Sequence, residues 1–366
     1  MKGSRGFILP PIEHTFCLPS GTWSPFECCL KRSNACVRSV CKNPDTDVKP
    51  VEWEVLQQVH TKEFLDNVPI ADIFELDKKL ELSQVLTPLR YLVGSLIKGT
   101  LEAYTNKSIV IVPEVGGHHA SPSLSHGACV FADVPVAWLE LRKQMGDIRA
   151  LYIDTDVHHA DGFARSRVEL NMQDHFFIMD MFNMDIWPCD EENPQATETL
   201  QHVNVPLPFH SGVSNKEYIT LLKQGLKRVE TELPPIHMVF YMCHNDALKG
   251  DSLGKTNVTE RAIYERDMLI VDWARERDLP IVIMPNRGYG SSSCRVARES
   301  MAKINDKYNV FSFYSFFLPF SFFIIPLHSL SCLAHHGFCN QEHHIPVGTT
   351  EDVVSFFKLF ETKKGA

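Results

Sequence analysis

The sequence is short of positive charge: 36 Lys and Arg stand against 45 Asp and Glu, a net of −9 over 366 residues. That balance argues against a non-specific nucleic-acid binder, which needs a basic face, so no direct nucleic-acid contact is expected. It is compatible with a basic substrate, although net charge does not say where charge lies. A signal-peptide pattern is also missing. Met1-Lys2-Gly3-Ser4-Arg5 is basic, but no long apolar run follows it. Reduced thiols in cytosol or nucleus are therefore expected for the 11 cysteines. Cys28, Cys29, Cys36 and Cys41 lack Cys-x-x-Cys spacing, which argues against a zinc knuckle. Long apolar runs are scarce, with one exception at 311–334, dense in Phe, Leu, Ile and Ser and broken by Pro319 and Pro326. Its length suits a membrane span of about 20 residues. Two prolines, five serines and His328 weaken that reading. A tail anchor, a packed extension and an alien insert from a faulty gene prediction all remain open there.

What is present is an ordinary globular composition, 44% hydrophobic and 22% charged, long enough for a sizeable core. Residues 1–50 are rich in Pro, Ser and Cys and are expected to be irregular; 51–310 carry the periodic patterns; 311–366 form an atypical tail. Apolar stripes predict helices over 51–68, 82–104, 130–145 (with Pro135 in its first turn), 259–278 and 295–308. Ser214-Asn215-Lys216-Glu217 is a capping box opening another helix. Short apolar strands are expected at 108–113, 149–154, 175–181, 237–243 and 280–284. Strands alternating with helices predict an α/β fold, a parallel sheet covered on both faces.

Each of these strands runs into reactive side chains. The first leads to Gly116-Gly117-His118-His119, the second to Asp154, Asp156, His158 and Asp161, and the third to Asp180. The fourth leads to His244-Asn245-Asp246 and the fifth to Arg287-Gly288-Tyr289-Gly290. Ligands in open α/β folds sit at this carboxyl-terminal edge. Asp156 and His158, two apart on an extended segment, point the same way. Taken alone, they could equally belong to a solvated acidic loop. With Asp246 they make a three-ligand divalent metal site with an open position. His118 and His119 are candidate bases, Asp154 and Asp161 the nearest acids to orient them, and Tyr289 a candidate oxyanion donor. His175, His202, His210 and His237 have no nearby acids at ligand spacing and read as structural; His335, His336, His343 and His344 lie in the tail with no strand behind them.

The ordered motifs resemble the zinc-dependent histone deacetylases over about residues 50–310. The resemblance rests on Gly116-Gly117-His118-His119, Gly127-Ala128-Cys129, the run from Ile153 to Gly162, the run from Asn245 to Gly254, and Gly288-Tyr289. Val59-His60-Thr61-Lys62-Glu63-Phe64-Leu65, Thr87-Pro88-Leu89-Arg90, Ile178 to Asn183 and Trp187-Pro188 give it a class IV flavour. The resemblance implies an arginase–deacetylase fold with an eight-stranded parallel sheet. It implies removal of acetyl or longer fatty acyl groups from lysine in histones or other proteins. The compartment would be nucleus, cytoplasm or both. It assigns Asp156, His158 and Asp246 to Zn2+ (or Fe2+), His119 with Asp161 to acid–base work, and His118 with Asp154 to electrostatic support. Tyr289 would polarise the carbonyl, Gly127 accept the substrate lysine chain, and Trp187 line its tunnel. Asp154, Asp156, His158 and Asp180 would cradle a structural K+. Departures from the pattern are the Gly-Gly-His-His spacing itself, Ala128 in place of an aromatic, and His244 and Arg287 in place of glycines. They raise the expectation of altered activity. An acetylpolyamine-type amidohydrolase and an impaired acyl-lysine-binding scaffold are the alternatives.

Overall fold

The structure is a computed structural model and describes residues 6, 8, 45–68, 82–190, 194–286 and 288–310. The cysteine group at 28–41, Arg287, the apolar run at 311–334 and the histidine pairs of the tail lie outside these residues. Six parallel strands form the sheet: β1 (Ile109–Ile111), β2 (Ala150–Asp154), β3 (Phe176–Asn183), β4 (Val205–Phe209), β5 (Met238–His244) and β6 (Ile281–Asn286). Their spatial order is β1-β6-β5-β2-β3-β4. The eight strands expected are thus six among the described residues. Backbone pairing does continue past β1, where Ile8 N–H donates to Ile111 O and Ile111 N–H to Gly6 O.

Every residue of β2, β3 and β5 is buried, as central strands covered on both faces require. Alternate side chains feed two cores. Leu151, Ile153, Met179 and Tyr241 face α7 (Asn215–Glu232), α8 (Glu260–Glu276) and α9 (Ser293–Tyr308). Tyr152, Ile178, Phe240 and Met242 face α3 (Leu82–Asn106), α4 (Asp133–Met145) and α5 (Asp161–Glu169). Ser214 caps α7 in the expected box, its side chain accepting from Glu217 N–H and the Glu217 carboxylate accepting from Ser214 N–H. Pro135 does lie in the first turn of α4, where a missing N–H costs little.

One local expectation is corrected, and three elements went unread in the sequence. Residues 51–68 form two short helices, α1 (Trp53–Leu56) and α2 (Lys62–Asp66), because Thr61 leaves the helix to cap α2, its Oγ1 accepting from Phe64 N–H at 3.2 Å. β4 was hidden by Pro206 and Pro208, which a strand at the edge of the sheet tolerates, and among the described residues only β3 pairs with it. α5 was hidden by the polar run after Asp161; α6 (Pro194–Glu198) also went unread. Among the described residues no helix is long and apolar enough to cross a membrane.

The topology explains where a site can form. β2, β3 and β4 run outward in one direction, and the chain then returns to lay β5 against the other side of β2. Ligands collect at such a reversal, outside the strands' carboxyl ends.

Candidate metal centre

β2 and β5 end side by side, with Asp154 paired to Met242 in register. Asp156 and His158 follow β2, and Asp246 follows β5. The ligand atoms of these three residues lie within 4.8 Å of one another, and all three are buried. His158 Nδ1 stands 2.7 Å from Asp156 Oδ1 and 3.2 Å from Asp246 Oδ2. Burial opposes charge on His158, but the two carboxylates outweigh it and lift the ring to about 10. Burial also pushes Asp154 and Asp246 well above the carboxylate range, helped by neighbouring acids, whereas His118 and His158 hold Asp156 well below it against the same burial. Uncompensated negative charge in a dry interior is costly and favours a bound cation. Two carboxylates and one imidazole within reach of one point suit Zn2+ or a similar ion. Asp246 Oδ2 accepts no well-aimed hydrogen bond, which leaves a lone pair for it.

The two histidines of the glycine loop stand beside this cluster, each tied to the expected acid. His118 Nδ1–H donates to Asp154 Oδ2 at 3.0 Å, and His119 Nδ1–H to Asp161 Oδ1 at 2.7 Å. With these acids ionised they only accept, which puts the hydrogen of each ring on Nδ1 and leaves Nε2 as the basic nitrogen. His118 Nε2 lies 3.8 Å from Asp156 Oδ2, and the His119 and His158 ring centres are 6.2 Å apart. Asp154 is fixed in turn by Tyr152 OH (3.0 Å) and by the N–H of Asp156 (2.9 Å).

α5 and the glycine loop are built against each other. Phe163 N–H donates to His118 O at 2.8 Å, and a Cβ on Gly162 would lie 2.1 Å from the His119 carbonyl carbon. Only glycine permits that approach. Gly127 adopts φ +51° and wedges between His119 and Trp187; a Cβ there would meet His119 Cδ2 at 2.4 Å and Trp187 Cη2 at 2.9 Å. The Trp187 ring lies 4.6 Å from that of His119 and 6.0 Å from that of His158. Gly127 and Trp187 therefore border the two histidines. Tyr289 is half-buried on the loop after β6; its N–H donates to Asp251 Oδ2 at 2.6 Å.

Four groups support these residues, and of them only Asp180 was given a role from the sequence, in the K+ cradle. Asp133, at the start of α4, accepts from the N–H of Gly116 (2.7 Å) and Gly117 (2.8 Å) and so holds the glycine loop. Asp251 holds the tyrosine loop. Asp180 Oδ2 accepts from His159 Nδ1–H (2.6 Å) and Ala160 N–H (3.0 Å). Arg266, fully buried and paired with Asp267 at 2.7 Å, donates to His244 O and Asn245 Oδ1. A buried arginine beside an acid in α8 was the one readable signal; the others act across long stretches of chain. The histidines read as structural stay away from the cluster: His210 pairs with Asp185, His175 with Asp147, and His237 Nδ1 accepts from Arg149 N–H.

Comparison with known proteins places this architecture. The histone deacetylase domain family matches residues 27–304. "Histone deacetylase 2" of Arabidopsis thaliana is 27% identical over 274 residues, 70% of this chain and 67% of that protein. "Histone deacetylase B" of Dictyostelium discoideum is 29% identical over 208 residues, and "Histone deacetylase 1" of Homo sapiens 26% over 206; each match covers 54% of this chain, but only 45% and 39% of those proteins. Among solved structures, the HD domain of HDA15 aligns with TM-score 0.63 at 18% identity, covering 81% of this chain and 88% of that one. A histone deacetylase homologue from Aquifex aeolicus aligns at 0.61 and 17%, covering 82% and 83%. These two likenesses concern the fold alone. With the family match spanning most of its length, the chain belongs to the histone deacetylase family.

Proposed function

We propose that this chain is a divalent-metal-dependent hydrolase, with zinc or ferrous iron as the ion, that removes acetyl or longer fatty acyl groups from lysine side chains of histones or other proteins. The observation that carries the reading is the convergence of Asp156, His158 and Asp246 beside two histidines that are each tied to a buried acid. A divalent ion held by the three supplies positive charge that polarises an amide carbonyl and acidifies water. His119, oriented by Asp161, takes a proton at Nε2 from the attacking water and returns it to the departing lysine amine. His118, oriented by Asp154, stabilises the charge that develops beside it. Tyr289 donates its hydroxyl to the carbonyl oxygen as that oxygen becomes anionic. The Gly127 carbonyl and the Trp187 ring guide the lysine chain.

The catalytic domain spans 51–310 in this reading, and its motifs favour a class IV-like member acting in nucleus or cytoplasm. A structural K+ near Asp154, Asp156, His158 and Asp180 is supported by Asp180 Oδ1, which is buried and accepts no hydrogen bond. A non-catalytic acyl-lysine-binding scaffold is the second reading, favoured by the bond from His244 to Asp156.

The test is a panel of acyl-lysine peptides from acetyl to myristoyl, with acetylpolyamine alongside and metal content measured on the same sample. Turnover that is lost in Asp156→Ala, His119→Ala and Tyr289→Phe is expected. Activity surviving all three overturns the assignment. Peptide binding with metal retained and no turnover favours the scaffold, and a faster rate on acetylpolyamine favours the small-amine hydrolase.

A further inference from the structure

The last residue of β5 reaches a metal ligand. His244 is fully buried, and its Nδ1 lies 2.5 Å from Asp156 Oδ2. A carboxylate at this distance accepts, so the imidazole donates its Nδ1–H. The ring has little freedom to do otherwise. Its backbone carbonyl is held at 2.6 Å by Arg266 Nη1, and Arg266 is locked by Asp267. Asp267 is itself held by Tyr241 OH and Ser300 Oγ. The edge of the His118 ring closes the other side, 5.8 Å between centres at 71°.

The two oxygens of Asp156 are thereby divided. Oδ1 accepts from His158 N–H at 2.7 Å and faces His158 Nδ1 at the same distance, on the side of the three-ligand cluster. Oδ2 faces His244, with His118 Nε2 farther off at 3.8 Å. A hydrogen bond to the far oxygen of a ligating carboxylate fixes its orientation and its donor strength.

We propose that His244 is a positioning residue for the metal site: its Nδ1–H caps Asp156 Oδ2 and confines Asp156 to binding the ion through Oδ1 alone. His244 itself stays outside the ligand set, whose converging atoms come from Asp156, His158 and Asp246. The inference rests on the metal-site reading above and adds to it a group outside the ligand set.

The experiment measures zinc affinity of the full chain by competition with a chromogenic chelator, for wild type, His244→Ala, His244→Leu and His244→Asn. An asparagine Nδ2 stands the same number of bonds from the backbone as His Nδ1, so it can restore the donor. Ala and Leu are expected to weaken zinc binding by about 10- to 100-fold, and Asn to stay within about threefold of wild type. Melting of the metal-free forms reports folding separately; should Ala fail to fold, the Leu–Asn comparison decides. Equal affinity across all four chains overturns the proposal, as does an Asn chain as weak as Leu. X-ray absorption of the zinc-loaded wild type should count a single imidazole; two imidazoles overturn it, since His244 would then be a ligand. A wild-type chain that takes up no zinc overturns the metal-site reading and this inference together, whereas zinc uptake with unchanged variants overturns this inference alone.

Discussion

Asp251 holds the tyrosine loop in place, and replacing it by asparagine separates stability from activity. Its Oδ2 accepts from the N–H of Tyr289 (2.6 Å) and Gly290 (3.0 Å), and its Oδ1 from those of Leu253 (3.0 Å) and Gly254 (3.4 Å). Burial raises its carboxyl to about 6, with the four amides pulling the other way. Moved from 3.8 to about 6, the acid is biased in the folded state toward its neutral form by about 3 kcal/mol. The folded value is the higher one, so this contribution to stability is complete below the unfolded value and is lost as pH rises through about 6. Asp251→Asn resembles the neutral acid. Above about pH 7 the gain of up to about 3 kcal/mol from removing a buried charge is set against about 1–3 kcal/mol for the amides left without an acceptor, so its urea midpoint should match wild type or lie above it by less than that full gain. Activity should move the other way. The asparagine keeps one carbonyl acceptor and turns an N–H toward the other pair of amides, so one of the two loops loses its anchor. If that is the loop of Tyr289, a displacement of about an ångström costs about 10²-fold in kcat on an acyl-lysine peptide, with metal content unchanged. The wild type should also lose activity as pH falls through about 6, a limb the variant lacks. A variant that is less stable than wild type at neutral pH yet keeps its full kcat would refute this account.

Two other perturbations probe the scaffold. Gly162→Ala sets a methyl group 2.1 Å from the His119 carbonyl carbon, and backbone must shift to admit it. A loss of about 10²-fold in kcat is expected while zinc binding is kept; unaltered kcat would show that His119 placement does not depend on α5. His60 accepts from Ala132 N–H at 3.0 Å through Nε2, faces Pro122 O at 3.3 Å through Nδ1, and is lowered to about 4, chiefly by burial. Because the folded value is depressed below 6.5, the neutral ring supports folding above the unfolded value and this support fades as pH falls from there toward about 4. Wild type should lose about 2 kcal/mol from this group between about pH 7 and 5, a loss His60→Gln escapes; equal losses in the two chains would count against the buried neutral ring.

The site was legible in part because some of its chemistry is local. Asp156 and His158 share an extended segment at the end of a buried strand, so residue spacing alone aims both the same way. The capping box at Ser214 and the first-turn proline of α4 are likewise short-range features that hold wherever the segment lands. β4 stayed hidden because two prolines deny a strand unless it lies at a sheet edge, and edge position is a property of the assembled sheet. The break at Thr61 between α1 and α2 was hidden because an apolar stripe continues through both helices, while the cap that parts them is a single side-chain bond.

The sequence by itself determined the alternation of strands and helices, the reactive residues after each strand, and the pairing of an acid with an imidazole two residues on. These follow from periodicity and from the cost of burying charge, both of which operate within one segment. Only the tertiary structure decided that the ends of β2 and β5 are neighbours. That adjacency brings Asp246 to Asp156 and His158 and sets His244 on Asp156 across 88 positions of chain. Contacts of this kind arise from the order in which strands pack, and packing order is a property of the whole folded chain.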